Sequence, residues 1–262
     1  MTSMTQRYSR RQFGMFAAAA VNSLRAQSRP VPIGLQQTAV SRNIQQDLPG
    51  TLRAIAKMGY DIVEFSAGTF MKWSPADAQQ VRAFSGDGLS RAIELNHIIG
   101  SDTLVSVRGP GTPAAPPALD AWKRFSDQLS QAADRIRAAG MTLGFHNHDI
   151  EFKPNEGVRP IDILTANKDI TSFHLNLGLC LKGGGDPIAF LKQCPGRVQS
   201  ILCQDFEGKA RWTETFATAE KGSGLEFYLI QRTDGLSLVP REGTDLLDFA
   251  RQDLQYFRRL HS

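Results

Sequence analysis

The sequence predicts an α/β protein, a parallel sheet covered by helices, and three observations carry that expectation. Strand-like and helix-like segments alternate along the chain, the pattern of parallel strands joined by crossover helices. The chain has 262 residues, 41% of them hydrophobic, enough for one sizeable core. Charged residues make up 21% and are spread along the chain, with no linker or composition break, so global disorder is excluded and one domain is expected. A doubly wound open sheet is the rival to a barrel, because strand count alone does not separate them.

The elements follow in order. Pro32 to Gln36 is a short apolar run that reads as the first strand. Leu48 to Met58 has helical spacing, with Leu52, Ile55 and Ala56 on one face and Gly59 as its stop. Asp61 to Phe65 reads as a buried strand that carries Glu64 near its end. Pro75 to Phe84 and Leu89 to Ile99 read as helices, and Thr103 to Val107 as a strand. A Gly/Pro-rich loop, Gly109 to Pro117, leads into a long amphipathic helix, Leu119 to Ala139, closed by Gly140. Met141 to Phe145 is a strand that runs into His146-Asn147-His148-Asp149.

The second half repeats the pattern. Pro160 to Thr165 starts a helix, with proline suited to its first turn. Ser172 to Leu175 is a strand, and Pro187 to Gln193 is a helix after the loop Gly183-Gly184-Gly185. Val198 to Cys203 is a strand, Trp212 to Glu220 a helix, Leu225 to Ile230 a strand and Thr244 to Leu260 a closing helix. The total is seven strands.

The first 26 residues stand apart. Ser9-Arg10-Arg11-Gln12-Phe13 precedes a mildly apolar stretch, Gly14 to Val21, and a small-residue segment around Ala26. Paired arginines, a weak apolar region and a candidate cleavage site, in that order, resemble a twin-arginine export leader. The expected division is a leader over 1–26 and a barrel over 31–262, delivered to the bacterial periplasm or cell exterior. The leader also explains the charge. It holds four arginines and no acid, and without it the net charge of +4 falls to zero, with 26 basic and 26 acidic residues. A neutral domain gives no reason to expect a nucleic-acid partner. No apolar run reaches the roughly 20 residues that span a bilayer. Cys180, Cys194 and Cys203 are an odd set at wide spacing, neither a disulfide framework nor a CxxC metal site.

Several phrases resemble the sugar phosphate isomerase/epimerase family, the xylose-isomerase-like barrels. Asp47-Leu48-Pro49-Gly50-Thr51-Leu52, Ala56-Lys57-Met58-Gly59-Tyr60 and Val63-Glu64-Phe65 are similar to its first helix and second strand. Leu143-Gly144-Phe145-His146-Asn147-His148-Asp149-Ile150-Glu151-Phe152 is similar to its fifth-strand motif and is the most specific phrase. Gly183-Gly184-Gly185-Asp186-Pro187 and Pro195-Gly196-Arg197 match the segments that follow. The resemblance implies a (β/α) TIM-type barrel over roughly 31–260, with its chemistry at the C-terminal ends of the strands. It also implies a divalent metal, Mn, Zn or Fe, that polarises a sugar carbonyl while a base moves a proton between adjacent carbons.

The chain departs from that pattern. Where the family's sixth strand ends in Asp-Thr-Gly, this chain has Asn176-Leu177-Gly178. The His-Leu-Lys-Asp phrase of the seventh strand is Leu202-Cys203-Gln204-Asp205, and Gln231 stands where the eighth strand supplies a ligand Glu. After the helix near Phe84, Ser85-Gly86-Asp87-Gly88 leads directly into the next helix, so the third strand is missing and the barrel is expected to be incomplete.

The candidate residues follow from both readings. Glu64 and His148 are the expected catalytic groups, since acids and imidazoles at strand ends can move protons. His146, two residues before His148 and on the same strand face, is the candidate metal ligand. Asn176, Asp205 and Gln231 are the expected substrate contacts, able to hydrogen-bond sugar hydroxyls. His174, inside a strand, reads as structural. Trp73, Trp122 and Trp212 can stack on sugar rings, with core packing the simpler role. The function expected is a sugar isomerase or epimerase working on a small carbohydrate by metal-assisted proton transfer. The alternative is an inactive or metal-free carbohydrate-binding barrel.

Overall fold

The computed structural model describes residues 30–64, 89–90, 92–94, 97, 102–107, 109–110, 117–204, 209–231 and 245–261. The elements below belong to the unit Pro32–Ser262. The proposed leader, the helix expected at 75–84, the segment in which the sequence shows no third strand, Trp73 and Asp205 lie outside the described residues.

Seven strands form one sheet: β1 (Ile33–Gln36), β2 (Ile62–Glu64), β3 (Thr103–Ser106), β4 (Thr142–His146), β5 (Ser172–Asn176), β6 (Val198–Cys203) and β7 (Phe227–Ile230). Every pairing is parallel, and the order is β2-β1-β7-β6-β5-β4-β3. That order decides between the two expected architectures. A doubly wound sheet reverses direction at a switch point between its halves. Here the first strand pairs the last, and the rest follow in cyclic sequence. Among the described residues this is a barrel order open between β2 and β3, an incomplete TIM-type barrel.

The sheet is also rolled. Four strand spacings separate β2 from β5 in the sheet order, about 19 Å if the sheet were flat. Yet Glu64 of β2 and His174 of β5 approach to 3.8 Å. Only a curled sheet lets two side chains of that reach meet across its concave side.

Helices cover the convex side: α1 (Ser41–Gln46), α2 (Leu48–Met58), α3 (Leu119–Ala138), α4 (Pro160–Ala166), α5 (Leu177–Lys182), α6 (Pro187–Gln193), α7 (Trp212–Gly222) and α8 (Leu246–His261). Local chemistry sets their ends. Asp47 caps α2 by accepting from Gly50 N at 2.9 Å, Pro49 sits in its first turn, and Gly59 ends it at φ 95°, where a side chain would be strained. The 20-residue α3 buries Trp122, Leu129, Ala132, Ala133 and Ile136. Trp122 is 1% exposed and meets Phe125 edge-on, so it is a core residue and cannot stack on a sugar. Trp212 lies tilted against Phe216.

Aromatic contacts show which strand residues face the helices. Phe145 of β4 packs on Phe125 of α3, Phe173 of β5 on Phe190 of α6, and Tyr228 of β7 on Phe216 and Phe257 of α7 and α8. Since side chains alternate along a strand, Gly144 and His146, Ser172, His174 and Asn176, and Phe227 and Leu229 face the concave side. The expected strand at Met141 to Phe145 sits one residue later, at Thr142–His146. His146 is therefore a strand residue with a fixed direction. Among the described residues no helix is long and apolar enough to cross a membrane. The three cysteines are free and buried.

Candidate functional site

The C-terminal ends of the strands carry the polar groups of the concave side, and the register places them. His146 pairs with His174, and Gln36 pairs with Glu64. Glu64, at the end of β2, has a side chain 29% exposed, and burial pushes its carboxyl up to about 7. His174 is 5% exposed, and burial pulls its imidazole down to about 4, with Gln199 acting in the opposite sense. The 3.8 Å approach of His174 Nδ1 to Glu64 Oε1 is thus no ion pair near pH 6, where both groups are neutral. It is also longer than a hydrogen bond.

His174 revises the expectation. It was read as structural, yet both ring nitrogens are buried without a hydrogen-bond partner among the described residues. Gln199 lies close enough to act on the ring without meeting hydrogen-bond geometry. His146 is pushed well down by burial, then by His148 and His174 nearby, so the three imidazoles form one cluster. The His146 and His148 rings stand edge to face, centroids 5.5 Å apart.

A chain of amides completes the arc. Gln204, just past β6, donates from Nε2 to Gln231 Oε1 at 2.7 Å. Gln231 Nε2 donates to Thr38 Oγ1 at 3.0 Å. The Thr38 hydroxyl donates to Gln36 Oε1, and the Thr38 backbone N–H donates to the same oxygen at 3.0 Å. The chain therefore ends beside Glu64, the register partner of Gln36. Of its members the sequence singled out only Gln231. Gln204 and Gln36 were missed because their meeting depends on β1 lying beside β7, which no local pattern records.

Asn176 is buried, and its Oδ1 accepts from Leu179 N at 3.0 Å, capping α5. Any sugar contact from it is left to its Nδ2. Asn147, also unflagged, clasps the ends of β4 and β5. Its Oδ1 accepts from Asn176 N at 2.8 Å, and its Nδ2 donates to Asn176 O at 3.1 Å. The motif residue Glu151 is fully buried and accepts from His148 N at 2.7 Å, which fixes the turn that carries His148. The glycine loop has its reason here too. A Cβ on Gly183 would lie 2.3 Å from Asp149 O, and one on Gly185 would lie 2.5 Å from the Phe152 ring, so only glycine lets this turn pack.

Glu151 makes the first testable prediction. Burial pushes its carboxyl from 4.5 up to about 7, so the folded state holds its proton through a range where the unfolded state has lost it. The cost of ionising it is absent below pH 4.5 and fully present above pH 7. Glu151→Gln should therefore gain stability relative to the parent as pH rises from 5 to 8, on the order of 2–3 kcal/mol by linkage. Denaturant melts of both proteins at the two pH values check this, and a constant difference would contradict it.

Among the described residues no three His, Cys, Asp or Glu side chains converge closely enough to hold a metal ion. The donors present near the mouth, Glu64, His146 and His148, do not fit one by themselves, and no step below is routed through a metal.

No protein-family model matches the sequence, and a comparison with curated proteins finds no match. Solved structures do match. A sugar phosphate isomerase/epimerase from Parabacteroides distasonis is 19% identical with a TM-score of 0.67, over 88% of this chain and 94% of that one. An L-ribulose 3-epimerase is 16% identical with a TM-score of 0.59, over 88% and 96%. A D-psicose 3-epimerase from Clostridium cellulolyticum H10, in a structure with D-tagatose, is 13% identical with a TM-score of 0.62, over 87% and 99%. The fold is that of the sugar isomerase/epimerase, xylose-isomerase-like barrels.

Proposed function

We propose that this chain acts on a small carbohydrate by proton transfer of the isomerase or epimerase type, with Glu64 as the group that takes and returns the proton. The observation that carries the reading is a half-buried strand-end carboxyl, raised to about 7, facing the buried imidazole of His174 across the concave side. A base poised near the working pH is both available in its ionised form and able to give the proton back. The fold shared with an L-ribulose 3-epimerase and a D-psicose 3-epimerase supports the substrate class.

The steps balance on the chain's own residues. Ionised Glu64 removes a proton from the carbon beside a sugar carbonyl and becomes a carboxylic acid. Isomerisation returns that proton to the former carbonyl carbon while the adjacent hydroxyl proton passes to the former carbonyl oxygen. Epimerisation leaves it on Glu64 and places a proton from a second donor on the opposite face of the same carbon, with solvent resetting both groups. His148, half-buried at the rim, is the candidate for that second role. Gln36, Gln204 and Gln231 offer amide donors and acceptors to sugar hydroxyls without bringing charge close to Glu64. Asn176 and Asp205 are further proposed contacts. A divalent ion at His146 remains a proposal, and the described donors do not fit one by themselves.

The second reading, a metal-free carbohydrate-binding barrel without turnover, is favoured by the amide chain, which puts neutral groups where ligating ones are expected. Aldoses and ketoses incubated in D2O separate the two. Deuterium at the carbon beside the carbonyl supports proton transfer. Calorimetric binding without exchange supports the binding barrel, and neither result removes both. Running each with chelator and with added Mn, Zn or Fe tests the ion. We further propose periplasmic delivery through the arginine-pair leader. An Arg10→Lys, Arg11→Lys double variant should stay in the cytoplasm on cell fractionation, and unchanged export would refute it.

A further inference from the structure

We propose that His174 is a positioning residue for Glu64, holding its carboxyl in the reacting orientation from beneath the concave side. The proposal deepens the reading above and rests on it for its kinetic consequence. Three observations support it. His174 is almost wholly buried, with both ring nitrogens lacking a partner among the described residues, and buried polar groups are rarely left so without a use. Its Nδ1 faces Glu64 Oε1 at 3.8 Å, a gap that a movement of about 1 Å turns into a hydrogen bond. The imidazole itself is pinned. Phe227 meets its ring edge to face at 6.0 Å, and the residue is 5% exposed. The movement is therefore left to Glu64, whose side chain is partly exposed.

The neighbouring strand is irregular at this level. The β5–β6 register shifts between Phe173 and His174, so that Phe173 pairs with Val198 but His174 pairs with Ser200. The extra residue is Gln199 of β6, so β5 keeps its regular alternation and His174 points to the concave side. Ser200 is fully buried in the same layer, and its Oγ also lacks a partner among the described residues. With the proton on Nδ1, His174 donates to ionised Glu64 and fixes the direction of the free lone pair. His174 itself takes no proton from the sugar.

The test uses the full chain and two independent readouts. The first is the 15N resonance of His174 at pH 8 in the parent and in Glu64→Leu. A Nδ1–H tautomer in the parent that is lost in the variant supports the contact, and identical resonances overturn it. The second is deuterium exchange at saturating sugar. His174→Phe should lower the rate about 10–100-fold, as a misplaced catalytic group does, with sugar affinity changed less than about threefold on the same principle. His174→Gln, which keeps a donor, should recover part of the rate. A folded His174→Phe protein that exchanges at the parental rate overturns the proposal. If His174→Phe does not fold, His174→Gln and the nitrogen resonance decide. An absence of exchange in the parent itself would sink the proton-transfer reading, while the resonance still decides whether His174 holds Glu64.

Discussion

Glu64→Gln is expected to reduce carbon–hydrogen exchange by about 10²–10⁴-fold, the range that general base catalysis contributes, while sugar binding stays within a few-fold. Gln keeps the shape and the hydrogen-bonding capacity of the side chain and removes only its basicity. The pH profile follows from the same group. Burial raises its carboxyl to about 7, and the ionised form is the base, so exchange should climb with pH through about 7 and level off above it. Stability should move the other way. The folded-state value lies above the unfolded one, so the unfavourable ionisation is absent below pH 4.5 and complete above pH 7. At pH 8 Glu64→Gln should be more stable than the parent, on the order of 2 kcal/mol after allowing for its partial exposure. A variant that is more stable and inactive marks a residue kept for chemistry rather than for folding. Stopped exchange with lowered stability at pH 8 would instead mark Glu64 as a structural acid.

Asn147→Leu is the second large effect. Asn147 is 2% exposed and answers both backbone polar groups of Asn176, while also donating to His148 O at 3.3 Å. Leucine fills a similar volume but leaves the Asn176 N–H and C=O buried without those partners. Each unmade buried hydrogen bond costs about 1–3 kcal/mol, so a loss of roughly 2–4 kcal/mol is expected. For a chain of this size that is a fall in Tm of roughly 10 °C. The same clasp holds His146, His148 and the cap of α5, so sugar binding should weaken as well. Thermal and denaturant unfolding check the prediction, and a change below about 0.5 kcal/mol, the ordinary surface range, would contradict it.

Much of this architecture is legible in the sequence, because each strand and each long helix announces itself by its own periodicity. Glu64 and the His146–His148 pair are legible for the same reason, as polar residues at the ends of apolar runs. What the sequence hides is whatever depends on pairing. His174 lies in an apolar strand, and only the neighbours of Phe173 on one face and Phe227 on the other show that it points inward. The Gln204–Gln231–Thr38–Gln36 chain joins residues up to 195 positions apart by their numbers in the sequence, closed by the β1–β7 pairing. The short α1 and α5 span six residues each, too few to show a helical period, and α5 is set by its Asn176 cap. Trp122 offers the opposite lesson, since an aromatic that suits a sugar ring is spent on the core. The incomplete barrel expected from the sequence agrees with the cyclic order of the described strands.

The most direct measurement is a crystal structure of the protein soaked with a ketose that it binds. The account predicts the sugar on the concave side, its carbonyl-bearing carbons within about 3–3.5 Å of a Glu64 oxygen, the separation of a near-attack arrangement. The hydroxyls should lie against the amides of Gln36, Gln204 and Gln231, with His174 Nδ1 drawn into hydrogen-bonding range of Glu64. A sugar bound on the helical side, or one on the concave side with Glu64 turned away from it, would contradict the account.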